Sequence, residues 1–247
     1  NKWMLKPIRK RRVKQYTLEE YSAWENFDGI IAINEKELEV VQKHTKNKHL
    51  FFCPMGIDLR YWKYSWQPTD PPRFGFYGGL GSLVNQLQAI FTVREIMPRV
   101  WKEIPNAEIW LVGSNPNKEM LKLTSEDSRI MVTGYLEDPR QTLGSFTALF
   151  CPWKGIFGFR SRIVEVMALG VPVIASPDAF FGMGLITNNG ILPAINPQEF
   201  LNIASKLVID RNFAQSQSKL ARLSIEKQFS TEATYNKLFS HLKQTLP

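Results

Sequence analysis

Residues 73–83 read RFGFYGGLGSL, an apolar run that closes on Gly78, Gly79 and Gly81 and leads into a helical pattern. Glycines at such a bend let backbone N–H groups approach an anion closely, so the stretch has the form of a phosphate-cradling turn. On these residues alone a second reading stands beside it, a plain tight turn from strand to helix. A dinucleotide fingerprint fails. Running from Gly79 and Gly81 it requires a small residue at position 84, where Val84 stands, and an acidic residue closing the next strand, which instead ends in VGSN.

Outward from this turn the chain alternates regularly. Strands are predicted at 73–78, 107–112, 129–133, 147–151, 172–175 and 190–193, with helices at 84–103, 117–124, 139–145, 161–169 and 197–209 between and after them. Parallel strands need crossovers and the crossovers are helices, so the expected architecture is an α/β, Rossmann-like parallel sheet with helices on both faces. Upstream, residues 7–26 read as a helix. DGIIAIN and HLFFCPM read as strands flanking a helix at 35–46, with Leu38, Val41 and Gln42 turned inward. The irregular, proline-rich run that follows separates residues 1–64, the tail of a first α/β domain, from a second domain at 65–247. Residues 212–244 read as a long closing helical arm.

Composition narrows the function classes. An apolar share of 44% supports a packed core, and no apolar run approaches the roughly 20 residues of a membrane-spanning helix. Cys53 and Cys151 sit inside apolar runs without a His or Cys partner at metal spacing. Buried spectator thiols, no metal and a reducing, cytoplasmic location are therefore expected. The net charge of +8 is concentrated, with Lys6, Arg9, Lys10, Arg11, Arg12 and Lys14 close together and the remainder nearly balanced. Beside Trp3, Met4, Leu5 and Ile8, this run suits an anionic membrane surface, placing the protein at the inner face; equally, it suits a solvated helix packed on another domain. Nucleic acid is not expected, because no recognition helix, aromatic platform or zinc pattern accompanies the charge. Asn1 in place of Met gives the expectation that the sequence continues a longer polypeptide.

A second motif carries chemistry. GIFGFRSRIVEVMALGVPVIAS, residues 155–176, puts a glycine-bearing loop before a helix whose first turns hold Arg160, Arg162 and Glu165, with Ser161 placed to cap it. Two arginines at a helix N-terminus suit a diphosphate, and a carboxylate one turn deeper can accept two hydrogen bonds from a ribose diol. The alternative is a solvated face with an i, i+3 ion pair between Arg162 and Glu165. The three histidines fall outside both motifs and are expected to be structural or solvated; Asp138 is expected to cap a helix with Pro139 at its first position. Trp153 and Lys154 follow a strand at the edge where open α/β sheets bind ligands.

Together with IPNAEIWLVGSNP and IMVTGYLEDPR, this block resembles the C-terminal, nucleotide-sugar-binding domain of the GT-B group 1 glycosyltransferases. FFCPMGIDLRYW resembles that family's interdomain hinge, and FSTEATYNKLFSHL its closing helix. The resemblance implies a hexosyltransferase, retaining in stereochemistry, that moves sugar from a nucleoside-diphosphate sugar (UDP- or GDP-linked) to a glycan or lipid acceptor, without a cofactor. A non-catalytic nucleotide-sugar-binding subunit is the alternative. By position, Glu165 would bind the ribose, and Arg160 and Arg162 the diphosphate as the catalytic pair. Gly78, Gly79 and Asn85 would face the phosphates, Gly134, Tyr135 and Leu136 the base, and Gly158 and Phe159 the donor. Three positions depart from the family. Phe157 stands where the first glutamate of the Glu-x7-Glu block is expected, Gly79 where many members carry Arg, and Asn85 near a usual Lys. A subgroup sharing the Arg160, Arg162 and Glu165 pattern suggests that the helix's basic pair replaces those lost charges.

Overall fold

The structure is a computed structural model that describes residues 5–46, 49–156 and 158–245. In chain order the elements are α1 (Leu5–Asn26), β1 (Ile30–Ala32), α2 (Glu35–His44), β2 (Leu50–Phe52), β3 (Arg73–Tyr77), α3 (Leu83–Phe91), α4 (Met97–Glu103), β4 (Glu108–Val112), α5 (Lys118–Glu126), β5 (Ile130–Gly134), α6 (Arg140–Gly144), β6 (Ala148–Cys151), α7 (Ser161–Ala168), β7 (Val173–Ala175), β8 (Ile191–Pro193), α8 (Pro197–Ile209), α9 (Arg211–Gln228) and α10 (Thr231–Thr245). No described helix is long and apolar enough to cross a membrane.

Two sheets form, both parallel. β1 pairs with β2, and the larger sheet has the order β5-β4-β3-β6-β7-β8. Strand order therefore reverses between β3 and β6, the point at which right-handed crossovers send helices to opposite faces and leave a crevice beyond the strands' carboxyl ends. The sheet is held by aromatic and aliphatic side chains fully removed from water. Phe74 of β3 and Phe150 of β6 stack with centroids 4.8 Å apart, and Phe200 of α8 meets Phe150 edge-on at 5.6 Å. Burial of each such ring stabilises the fold by roughly 1.5–3 kcal/mol.

Two predicted helices are broken, each for a local reason. The expected helix at 84–103 is interrupted by a π-helical stretch, Thr92–Ile96. Pro98 cannot donate a backbone hydrogen bond to the turn behind it, and the buried Thr92 hydroxyl bonds back to Gln88 O at 2.9 Å, so the regular i→i−4 ladder gives way. The expected arm at 212–244 is two helices. Phe229 is buried and leaves helical geometry, and Ser230 caps α10 by accepting from the Ala233 N–H at 3.0 Å. Here Ile57 accepts from the Thr231 N–H and donates to Phe229 O, tying the connecting segment to the arm. In α2, Val41 is buried, but Gln42 is exposed, against expectation: one residue beyond Val41 lies about 100° around the helix.

Candidate functional site

At the carboxyl edge of the larger sheet, a cleft of about 250 Å³ opens over the ends of β3, β4 and β5. The turn Gly78–Gly79 forms one wall, Tyr135 and Leu136 another, and Arg162 and Glu165 project into it from α7. The walls approach closely because of a glycine outside both sequence motifs. A Cβ on Gly113 would stand 1.7 Å from Gly78 O, and its φ of +153° is one that side chains rarely tolerate. Gly79, by contrast, has open space where a Cβ would be. A roomier cavity of about 780 Å³ lies at the amino ends of the strands, lined by Pro72 and Thr147 among others. That is the wrong edge for ligands of an open α/β sheet.

α7 positions the charged pair. Its residues Ile163, Val164, Val166 and Met167 are buried where α7 packs on α9 and β7, and Arg222 of α9 donates to Ala168 O at 2.8 Å, closing its C-terminal end. Arg162 Nη1 donates to the Tyr77 hydroxyl at 2.7 Å and to Glu165 Oε2 at 3.1 Å, while the guanidinium lies 4.6 Å from the Tyr77 ring centroid. Nε and Nη2 of Arg162 make no hydrogen bond among the described residues. Burial opposes charge on Arg162, but Glu165 and Tyr77 offset it, so its pKa lies above the ordinary guanidinium value. The Tyr77 hydroxyl is pushed well above the usual phenol value, first by burial and then by the Glu165 carboxylate, and stays protonated. The arrangement presents a fixed cation with donors to spare beside a mostly buried carboxylate.

The family model described as "Glycosyl transferases group 1" matches residues 71–210. The chain belongs to that family. Among curated proteins it is 23% identical over 231 residues to the poly(glycerol-phosphate) alpha-glucosyltransferase of Bacillus subtilis (strain 168), covering 88% of this chain and 33% of that one. The chain thus spans about a third of that relative's length. Among solved structures, the sucrose-phosphate synthase of Thermosynechococcus elongatus superposes with a TM-score of 0.72 at 18% identity, over 94% of this chain and 61% of the other. Anabaena HepE in complex with UDP-glucose superposes with a TM-score of 0.69 at 16% identity, over 88% and 64% respectively. These likenesses establish the shared fold.

Within this member of the group 1 family, the residues singled out from sequence separate into two sets. Gly78, Gly79, Tyr135, Leu136, Arg162 and Glu165 line the cleft, with Gly134 ending β5 next to them. The ion pair between Arg162 and Glu165, read from sequence as an alternative to a binding role, forms within the same cleft. Asn85, Gly158, Phe159 and Arg160 are not in its lining. Asn85 is engaged at both ends, donating to Gly79 O at 2.9 Å and accepting from Trp153 Nε1 at 3.1 Å, so it staples the glycine turn to the end of β6. Phe159 packs against Phe229. Arg160 donates to Gly155 O at 2.9 Å and lies 5.3 Å from the centroid of Trp153; burial lowers its pKa from the ordinary guanidinium value. Phe157 lies outside the described residues.

Other expectations of local chemistry changed. Ser161 does not cap α7. The cap position belongs to Arg160, with no side-chain bond, and Ser161 is already the first helical residue. Asp138 accepts from the Arg140 N–H at 3.0 Å, as a capping residue would, but Pro139 rather than Asp138 holds the cap position of α6. Lys154 is exposed with its ammonium 5.9 Å from the Phe91 ring centroid. Both cysteines are buried, and burial raises each thiol pKa, Cys151 the more strongly. Sequence reasoning missed Tyr77, Trp62, Ser114 and Glu137 in the lining. For Tyr77 a signal existed: a polar-tipped aromatic ending a buried strand next to the glycine turn needs a partner for its hydroxyl.

Proposed function

We propose that the protein transfers a hexosyl group from a nucleoside-diphosphate sugar, UDP- or GDP-linked, to a glycan or lipid acceptor, and that the cleft over β3, β4 and β5 is its donor site. The observation that carries this reading is Arg162, fixed by Tyr77 and Glu165 at the strand-order reversal with two nitrogen positions unspent. In this reading Nε and Nη2 of Arg162 meet the diphosphate and Glu165 accepts from the ribose hydroxyls. The backbone at 134–136 meets the base edge, and Gly78 and Gly79 admit the phosphates to the start of α3. Arg160, which precedes α7 outside the cleft lining, joins Arg162 on the diphosphate in this reading only through its position in the family resemblance. Charge developing on the departing diphosphate is stabilised by these fixed groups, each charge-assisted hydrogen bond contributing roughly 1.5–3 kcal/mol when water is excluded. Net retention of configuration belongs to the same reading.

Calorimetric titration of the protein with UDP, UDP-glucose and GDP-linked sugars tests the donor site: heat is expected with at least one, and none with any would end the proposal. A transfer assay then follows label from the bound sugar into an acceptor. Binding without transfer would assign the protein as a non-catalytic nucleotide-sugar-binding subunit, the reading that Phe157 favours by standing where an acid is expected.

The proposal extends to location. Arg9, Lys10, Arg11, Arg12 and Lys14 are exposed on α1, as are Val13 and Tyr16, a composition suited to an anionic membrane surface on the cytoplasmic side. Trp3, Met4 and the side chain of Lys6, part of the same expectation, lie outside the described residues. Co-sedimentation with vesicles rich in anionic lipid should fall when these five basic residues are replaced by Gln; unchanged sedimentation would leave α1 the solvated or domain-packing helix instead.

A further inference from the structure

We infer that Asn34 and Glu37, far from the cleft in sequence, are positioning residues that set the loop leading into α7, and through it Arg162, for the proposed donor site. The inference rests on the donor reading. Asn34 is fully buried, a costly place for an amide unless its groups are paired. All of them are. Its Oδ1 caps α2 by accepting from the Lys36 and Glu37 N–H groups at 2.9 and 3.3 Å, and its Nδ2 donates to Gly158 O at 3.1 Å and Phe181 O at 2.8 Å. One turn further along α2, Glu37 Oε1 accepts from the Gly158 N–H at 2.8 Å.

Both backbone polar groups of Gly158 are therefore held from the first turn of α2. The Gly158 N–H is occupied by a carboxylate, so Gly158, which the family resemblance sets toward the donor, serves as an anchor. Its φ of +73° is the left-handed conformation that such a bend requires. The loop's other end is fixed too, since the Gly155 N–H donates to Asp178 Oδ2 at 2.8 Å. Pinned at 155 and 158, the loop presents Arg160 to Gly155 O and the Trp153 ring and delivers the chain into α7 one residue before Arg162. The third side of the bridge is equally tight. The Glu35 N–H donates to Gly182 O at 2.9 Å, and a Cβ on Gly182, itself at φ +70°, would stand 2.1 Å from Asn34 Oδ1. A polar cluster this completely satisfied fixes geometry, and misplacement by about 1 Å at a reacting site can cost on the order of 100-fold.

Asn34→Asp is the decisive variant. It keeps the oxygen that caps α2 but replaces the Nδ2 donor with a carboxylate oxygen facing two carbonyls. By calorimetry, UDP-glucose affinity should fall roughly 10- to 100-fold while uridine, which makes no use of the loop, binds as before. Glu37→Ala should act in the same direction, and Glu37→Gln, which retains the acceptor for the Gly158 N–H, should restore affinity to near that of the unaltered protein. Wild-type-like UDP-glucose binding by Asn34→Asp would overturn the inference. So would a parallel loss of UDP-glucose and uridine binding with a lowered melting temperature, the signature of general structural support. Failure of the unaltered protein to bind UDP-glucose at all would instead defeat the donor reading, and the inference with it.

Discussion

Among the described residues, two arginines lie over tyrosine rings with a carboxylate at hand. Arg162 stands 4.6 Å from the Tyr77 centroid beside Glu165, and Arg140 stands 3.8 Å from the Tyr61 centroid beside Asp138. By residue type, the trios are nearly the same. The difference lies in how the guanidinium donors are spent. Arg140 forms a bidentate pair, Nε to Asp138 Oδ1 at 2.8 Å and Nη2 to Oδ2 at 2.6 Å, and its Nη1 donates to Tyr61 O at 2.8 Å. Every nitrogen is committed, so this trio is a clasp between the start of α6 and the connecting segment. Arg162 directs a single nitrogen at both its partners and leaves Nε and Nη2 without a hydrogen-bond partner among the described residues. Exposure does not separate the two, since the Arg162 side chain is 45% exposed and that of Arg140 32%. The accounting of hydrogen-bond donors does.

The largest expected effect comes from truncating each arginine in turn. Arg162→Ala should weaken UDP-glucose and UDP by roughly 10- to 100-fold, the loss of one or two charge-assisted bonds, and uridine far less. Arg140→Ala should leave those affinities unaltered and lower the melting temperature instead. Titration calorimetry and thermal unfolding of both variants check this. Equal weakening of UDP and uridine in Arg162→Ala, or a loss of UDP affinity in Arg140→Ala, would break the distinction between a committed and an uncommitted arginine.

A smaller effect sharpens the same contrast at the tyrosines. Tyr77 holds Arg162 through its hydroxyl, whereas Tyr61 holds Arg140 through its backbone carbonyl and ring face. Tyr77→Phe keeps the ring but removes the bond, worth about 1 kcal/mol, so UDP affinity should fall roughly fivefold with little change in folding stability. Tyr61→Phe removes nothing that Arg140 uses and should be silent in both measurements. If Tyr77→Phe is silent as well, the ring alone orients Arg162 and the hydroxyl has no positioning role.

What the sequence made legible follows a physical division. The alternation of apolar strands with helical stretches located all six strands of the larger sheet, because strands buried on both faces leave short continuous apolar runs. The glycine turn and the Arg160, Arg162 and Glu165 cluster were legible because their chemistry lies within short, contiguous spans. Asn34 left no such trace. Its partners Gly158 and Phe181 are 124 and 147 residues away, and an Asn before a helix is fully accounted for by capping alone. Asn85 illustrates the converse. The family resemblance puts it near a phosphate-binding position, and Trp153, brought alongside it by the β3–β6 neighbourhood, takes its carbonyl oxygen. The breaks at Thr92–Ile96 and Phe229–Ser230 each had a local signal, Pro98 just after the first and Ser230 placed to cap α10 at the second, that the continuous helical reading passed over.

The smallest effect concerns pH. Arg140, through side-chain and then backbone hydrogen bonds, holds the Asp138 carboxyl down to about 2, against about 3.9 for an unperturbed aspartate. Because the folded value lies below the unfolded one, the unfolded chain takes up the proton first as pH falls. The stabilisation is therefore complete above the unfolded value and is lost as pH drops through about 2. With the Asp138 side chain 50% exposed, solvent screening keeps it small. The melting temperature of the unaltered protein should exceed that of Asp138→Asn by a small, constant margin from about pH 7 to about pH 5, and the margin should close toward about pH 2. A margin that persisted at the acid end would mean that the Asp138 carboxyl stabilises the α6 clasp without its charge. The bidentate pair would then not be what commits Arg140, and the contrast with Arg162 would have to rest on Tyr61 alone.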